Sequence, residues 1–270
     1  MIDAEVESIN GIEFNKVVAQ FPSQCMDKKD PVIREWIANK IIAGKRNEKR
    51  KLTIRLKNGA KMQLDVDALE LESYTTNLSS EIINDIGYIR INNALGNSEL
   101  VNEFDTALDG MMNTNALILD LRNTPNGGST DVAEPILGRF ISEAKGYQIC
   151  ENKKERYTRK VFPRKRMYEN QVYVLVGRWT GSMGEGMAIG LDGMNRAKII
   201  GTEMNRLAGG IKTIKFSHSN FGFHIPFEKM YHLDGSLRET YVPKEYVNQA
   251  SSDEDHFLNY AFRMIKSIDK

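Results

Sequence analysis

The stretch VYVLVGRWTGSMGEGMAIGLDG, residues 172–193, runs from an apolar strand into a glycine-rich helical stretch, and Ser182 stands at the corner. A serine before a helix is usually a cap. The same corner also suits a nucleophile, because helix amides lie beside it. A second loop, RNTPNGGS at 122–129, follows the apolar run ALILDL and places Gly127 and Gly128 at the start of a helix. Two glycines there let backbone N–H groups converge on an oxyanion without side-chain obstruction. The serine corner departs from the G-x-S-x-G elbow in having Thr180 at its first position. Taken singly, each loop reads as a turn or a cap. Side by side at strand carboxyl ends, they supply a nucleophile and an oxyanion hole.

The elements that must position these loops are legible from their periodicity. IGYIRI (86–91), ALILDL (116–121), VYVLV (172–176) and AKIIG (197–201) read as strands. The nearly all-apolar ones are expected to be buried on both faces. SELVNEFDTALDGMM (98–112), STDVAEPILGRFI (129–141, with Pro135 inside) and GEGMAIGLDGM read as helices. The alternation predicts an α/β fold around a central, largely parallel sheet. After residue 211, IKTIKF and FGFHIPF predict a hairpin around Ser219–Asn220, and DHFLNYAFRMIKSI (255–268) a final amphipathic helix.

The first seventy residues are different. AEVESINGIEF (4–14) and KLTIRLKNGAKMQLDVDAL predict hairpins at Asn10–Gly11 and Asn58–Gly59. Between them, DPVIREWIANKII (30–42) spaces Val32, Ile33, Trp36, Ile37 and Ile41 as a helix. The hydroxyl-rich segment ESYTTNLSSE (72–81) reads as a linker. A β-rich module over 1–72 and a larger domain over 73–270 are therefore expected.

Composition narrows the function classes. The chain has 270 residues, is 41% hydrophobic and 27% charged, and carries 37 basic against 36 acidic residues for a net charge of +1. That balance gives no field for a nucleic acid or an anionic membrane. The basic runs at 44–51 and 162–167 read as solvated loops. No apolar run is long enough to span a bilayer, and no signal segment opens the chain. Cys25 and Cys150 have neither metal nor redox spacing, and a bridge between them stays open. No histidine pair has metal-ligand spacing, so neither metal nor cofactor is expected.

In order along the chain, IGYIRINNAL, the 116–141 stretch, the 172–204 stretch and DGSLRETYVPKEYV (234–247) together resemble the tail-specific, or C-terminal processing, serine peptidases. That family includes the tricorn core and the retinoid-binding-protein-like branch. The resemblance implies a ClpP/crotonase-like core with Ser182 as nucleophile. Its oxyanion hole would use the Met183 N–H and one from Gly127 or Gly128. Glu185 would be structural, and the substrate a peptide or unfolded protein. DAEVESINGIEF and KLTIRLKNGAKMQLDV are similar to parts of a PDZ module, whose preceding strand and loop are absent before Asp3, so the chain is expected to begin inside such a module. The cell envelope and a homo-oligomer fit the family.

The base is where the chain departs from the pattern. One branch uses a lysine at a position that Leu207 occupies here, and Thr240 and Lys244 alter the late GxxPD. The tricorn branch uses an upstream histidine with a late glutamate, for which Glu239 is the nearest match. Among His218, His224, His232 and His256, His232 lies close to Glu239 in sequence and is the expected partner. Two alternatives stand beside the peptidase: a peptide-binding pseudo-protease without a working base, and a crotonase-like acyl-processing enzyme that does not need Ser182.

Overall fold

The structure is a computed structural model that describes residues 4–23, 26–45, 47–69, 74–219, 221–248 and 254–268. The chain divides into two compact units, Met1–Ser73 with Ala250–Asp253, and Tyr74–Gln249 with Glu254–Lys270.

The smaller unit is an antiparallel sheet of β1 (Glu5–Ile9), β2 (Ile12–Glu13), β3 (Lys51–Arg55) and β4 (Lys61–Asp65), in the order β2-β1-β3-β4. Both expected hairpins form. Two helices, α1 (Phe14–Gln20) and α2 (Pro31–Ala43), lie between β2 and β3. Asp30 caps α2 by accepting from the Val32 N–H at 2.8 Å, with Pro31 at the first helical position where its missing N–H costs nothing. The stripe expected on α2 is only partly realised. Ile37 is fully buried, but Val32 is 64% and Trp36 41% exposed. Trp36 instead packs edge-on against Phe21, with ring centroids 5.8 Å apart.

The larger unit carries the central sheet. Its strands are β5 (Leu78–Ile83), β6 (Ile86–Ile91), β7 (Ala116–Asp120), β10 (Gln171–Val176), β11 (Ala197–Gly201) and β14 (Glu245–Tyr246), in the order β14-β11-β10-β7-β6-β5. Every pairing is parallel except β5 with β6. Alternate side chains enter two cores, which explains the unbroken apolar runs. Leu117, Leu119, Val172 and Val174 pack with α3 (Leu100–Asp109), α4 (Thr130–Leu137) and α5 (Met183–Gly193). Ala116, Ile118, Tyr173 and Leu175 pack with α6 (His256–Ile268). A second, antiparallel sheet has the order β12-β13-β8-β9, built from β8 (Lys145–Asn152), β9 (Arg156–Val161), β12 (Gly209–Lys215) and β13 (Gly222–Tyr231).

Three sequence expectations need correction. The segment 72–81 is not wholly a linker, because Leu78 opens edge strand β5. An edge strand leaves one side free of the sheet, so polar Ser79, Ser80 and Glu81 are tolerated there. Strands β8 and β9 lay in a stretch with no assigned element, since charged and aromatic residues interrupt their alternation. The 162–167 run is not simply solvated either. Arg164 and Lys165 join Arg139 on the buried Asp105 carboxylate, with contacts of 2.6, 2.9 and 2.6 Å. Cys150 is a buried free thiol in β8, pushed up to about 11 by burial. Cys25 lies outside the described residues, so the bridge left open in the sequence is not addressed.

Burial acts to raise the Asp105 carboxyl, but Arg164, Lys165 and Arg139 hold it at about 2. An unfolded aspartate titrates near 3.9. Its contribution is therefore present above about pH 4 and lost as pH falls toward 2. Replacing Asp105 by Asn is expected to cost about 1.5–3 kcal/mol at neutral pH, because it takes from buried Arg139 one of its two carboxylate partners, Asp109 at 2.5 Å remaining. Melting temperatures between pH 5 and pH 2 should fall less steeply in the variant than in the parent. Parallel profiles would contradict this assignment.

Candidate active site

Four loops that follow parallel strands converge on one end of the central sheet. Because Val174 pairs with Leu119 and Leu175 with Asp120, the loops leaving β7 and β10 emerge side by side. They are then stitched together. Thr124 N–H donates to the Trp179 carbonyl at 3.1 Å, and Gly181 N–H to the Thr124 carbonyl at 3.2 Å. The Leu121 carbonyl accepts from both threonine hydroxyls, Thr124 at 2.9 Å and Thr180 at 3.0 Å. Thr180, which breaks the elbow pattern, is thus a fully buried cross-tie.

Gly127 sets the separation of the two loops. Its φ is +62°, and a Cβ there would sit 2.3 Å from Ser182 Cβ and 3.0 Å from the Met183 nitrogen. Only a residue without a side chain permits both the left-handed backbone and the approach. Its own N–H is engaged with the Thr124 carbonyl at 3.0 Å. Among the described residues, the N–H groups of Gly128 and Met183 have no backbone acceptor. Gly128 in turn lies on the loop after β6, where a Cβ would meet the Leu95 carbonyl at 2.1 Å. Asn93 secures that loop: its N–H donates to the Asn123 carbonyl at 2.6 Å, and its Oδ1 accepts from Asn126 N–H at 3.0 Å.

Ser182 is partly exposed at the N-terminus of α5, with φ 51° and ψ −106°. This is a costly backbone for a residue with a Cβ, and it persists only where its surroundings over-determine it. Glu185 does so. The fully buried carboxylate accepts from Ser182 N–H at 2.7 Å and, on the loop after β11, from Arg206 N–H at 2.9 Å and Leu207 N–H at 3.2 Å. Burial raises its pKa, opposed by the charge of Arg238 and by these three N–H groups. The structural role expected for Glu185 matches these contacts.

Arg238, which the sequence did not single out, closes the constellation. It is 2% exposed. Its Nε and Nη2 donate to the Leu207 carbonyl at 2.8 and 2.6 Å, and Nη1 to the Ser182 carbonyl at 3.4 Å. The adjacent Glu239 is half-buried, and its Oε2 is buried with no hydrogen-bond partner among the described residues. An arginine in a polar turn carries no periodic signal, so only the fold reveals it.

His232 is not brought to Ser182. Its Nε2 lies 3.3 Å from Asp192, without hydrogen-bond alignment, and its Nδ1 lies 3.1 Å from Asp234. Asp192 is ten residues beyond Ser182 on α5, so the helix rise separates the two by about 15 Å. The Tyr231–Thr240 excursion doubles back through the turn at Gly235, and the His232 ring stacks on Tyr241 with centroids 5.9 Å apart, at the end of α5 away from Ser182. His224 lies on the β12–β13 hairpin, paired with Thr213 at 2.9 Å. Leu207, in the lysine position, contributes backbone only and is 39% exposed. The described residues contain no acidic, histidine or cysteine cluster able to hold a metal ion.

Alanine at Gly127 is expected to push the two loops apart while leaving the central sheet intact. The melting temperature should shift by a few degrees, whereas reactivity of Ser182 toward a fluorophosphonate should fall at least about 100-fold, the cost of losing one oxyanion donor. Unchanged reactivity would show that the close approach is not required.

The sequence model of peptidase family S41 matches residues 85–244, more than half of the chain. The fold is similar to that of mature CPAF, with TM-score 0.66, 12% identity, 98% of this chain covered and 75% of that one. It is also similar to the photosystem II D1 C-terminal processing protease, with TM-score 0.60, 13% identity and 91% of this chain covered. The chain spans 63% of the length of that protease. A lipoprotein from Streptococcus agalactiae aligns with TM-score 0.56 at 15% identity, over 71% of this chain and 70% of that one. No curated protein is significantly similar in sequence. The ordered loops and the family match agree, and the chain belongs to peptidase family S41.

Proposed function

We propose that the chain is a serine-type endopeptidase of the C-terminal processing kind, with Ser182 as nucleophile. The observation that supports this reading is the close approach of Gly127 to the serine corner, where a Cβ would meet Ser182 Oγ at 2.9 Å and the Met183 nitrogen at 3.0 Å, together with the N–H groups of Gly128 and Met183, which have no backbone acceptor among the described residues. Attack of Ser182 Oγ on a peptide carbonyl would place the new negative charge between those two donors. Each aligned donor contributes on the order of 2.7–4 kcal/mol of barrier reduction. Glu239 would be the carboxylate that orients the general base, a role that suits a buried oxygen lacking its own partner. The substrate would be an extended peptide from an unfolded or C-terminal segment, with the smaller unit acting as a PDZ-like module and the protein working in the cell envelope. The envelope assignment rests on family resemblance. No described helix is long and apolar enough to cross a membrane.

A second reading, a peptide-binding pseudo-protease, is favoured by Leu207 in the lysine position and by His232 lying at the far end of α5. Hydrolysis of casein, an unfolded protein, separates the two. The parent chain is expected to cleave it, and Ser182→Ala to lose at least about 10³-fold in rate. Saturable binding without cleavage would replace the first reading with the second.

A further inference from the structure

Arg238 is a buried cation whose direct partners are all uncharged. They are the Leu207 carbonyl, the Ser182 carbonyl and, at 2.9 Å, the Met230 sulfur. Among the described residues, none of its ion-pair contacts reaches a carboxylate, although Glu185 and Glu239 are its strongest electrostatic neighbours. Burial lowers its proton affinity, and those carboxylates oppose the effect. A guanidinium retains its charge even so. An isolated buried charge is unfavourable, which makes its position informative.

That position is at one end of a particular peptide unit. The Ser182 carbonyl accepts from Arg238 Nη1 and also from Gly186 N–H at 3.0 Å. The N–H of the same peptide unit belongs to Met183. Polarising a carbonyl strengthens the donor at the far end of its amide, and the effect is larger in a low-dielectric interior. The second consequence is electrostatic. The Glu185 carboxylate bonds Ser182 N–H at 2.7 Å and would oppose a nearby developing anion. Arg238 offsets that charge without bonding the carboxylate itself.

We propose that Arg238 is a positioning residue of the oxyanion hole, acting through the Ser182–Met183 peptide and by offsetting Glu185. The proposal rests on the reading of Ser182 as nucleophile. It adds a charged support to a hole otherwise built only from backbone, and it explains why the late 3-10 turn Arg238–Thr240 packs beside the nucleophile corner.

The test is the second-order rate of a fluorophosphonate with the parent, Arg238→Lys and Arg238→Ala, each checked for folding by melting. Lysine, which keeps the charge, should stay within about tenfold of the parent. Alanine should fall roughly 10- to 100-fold, less than or equal to the loss of a whole donor. Millimolar methylguanidinium should restore the alanine variant saturably, and urea, of similar shape but neutral, should not. A purely structural role would be met equally by both additives. Alanine within twofold of the parent, or equal rescue by urea, would overturn the proposal alone. A parent chain that does not label would remove the nucleophile reading and this inference together. Should the alanine variant not fold, lysine decides: a loss of 100-fold or more in folded protein overturns the proposal.

Discussion

One carboxylate holds the site together. Glu185 is fully buried and spends both oxygens on backbone N–H groups from two segments, the serine corner and the loop after β11. Without it, three backbone N–H groups at the serine corner and the loop after β11 would lose their shared acceptor. Ser182 would also be free to leave its positive-φ conformation. The carboxylate therefore acts as a brace that transmits the rigidity of the sheet to a strained residue. Its position in the first turn of α5 also places negative charge at the helix N-terminus, where the dipole favours it.

The rest of the site follows from keeping that brace in register. The parallel pairing of β7 with β10 and of β10 with β11 aligns the starts of three loops. Paired threonines and the Asn93 clasp then remove the remaining freedom. Farther out, Arg122 donates to Asp120 and, through both Nη groups, to Asp255 at 2.8 and 2.7 Å. That network ties the start of α6 to the same loop cluster. The charged groups that brace Ser182, Glu185 and Arg238, are internal to the scaffold, whereas Arg178, Trp179, Arg206 and Leu207 on the same loops are exposed.

Much of this was legible before folding. The apolar runs at 116–121 and 172–176 announced strands buried on both faces, and Gly127–Gly128 with Ser182 announced the two loops that the fold stitches together. Local chemistry governs those signals: strand burial, helix starts and positive φ. What was not legible depends on long-range return of the chain. Arg238 sits in a polar turn with no period, and its burial arises only because β13 brings the turn back against α5. His232 was the expected partner of Glu239 at the serine, and the fold sets it beside Asp192 and Asp234, away from Ser182. Strands β8 and β9 hid because charged side chains such as Lys145, Glu151, Arg156, Arg159 and Lys160 mask the alternation.

The most direct test of this site is a crystal structure of the chain after reaction with a fluorophosphonate. Expected is phosphorus bonded to Ser182 Oγ, with its free oxygen about 2.7–3.1 Å from the nitrogens of Met183 and Gly128. An adduct on another residue, or an oxygen turned away from both nitrogens, would contradict the assignment of Ser182 and its oxyanion hole.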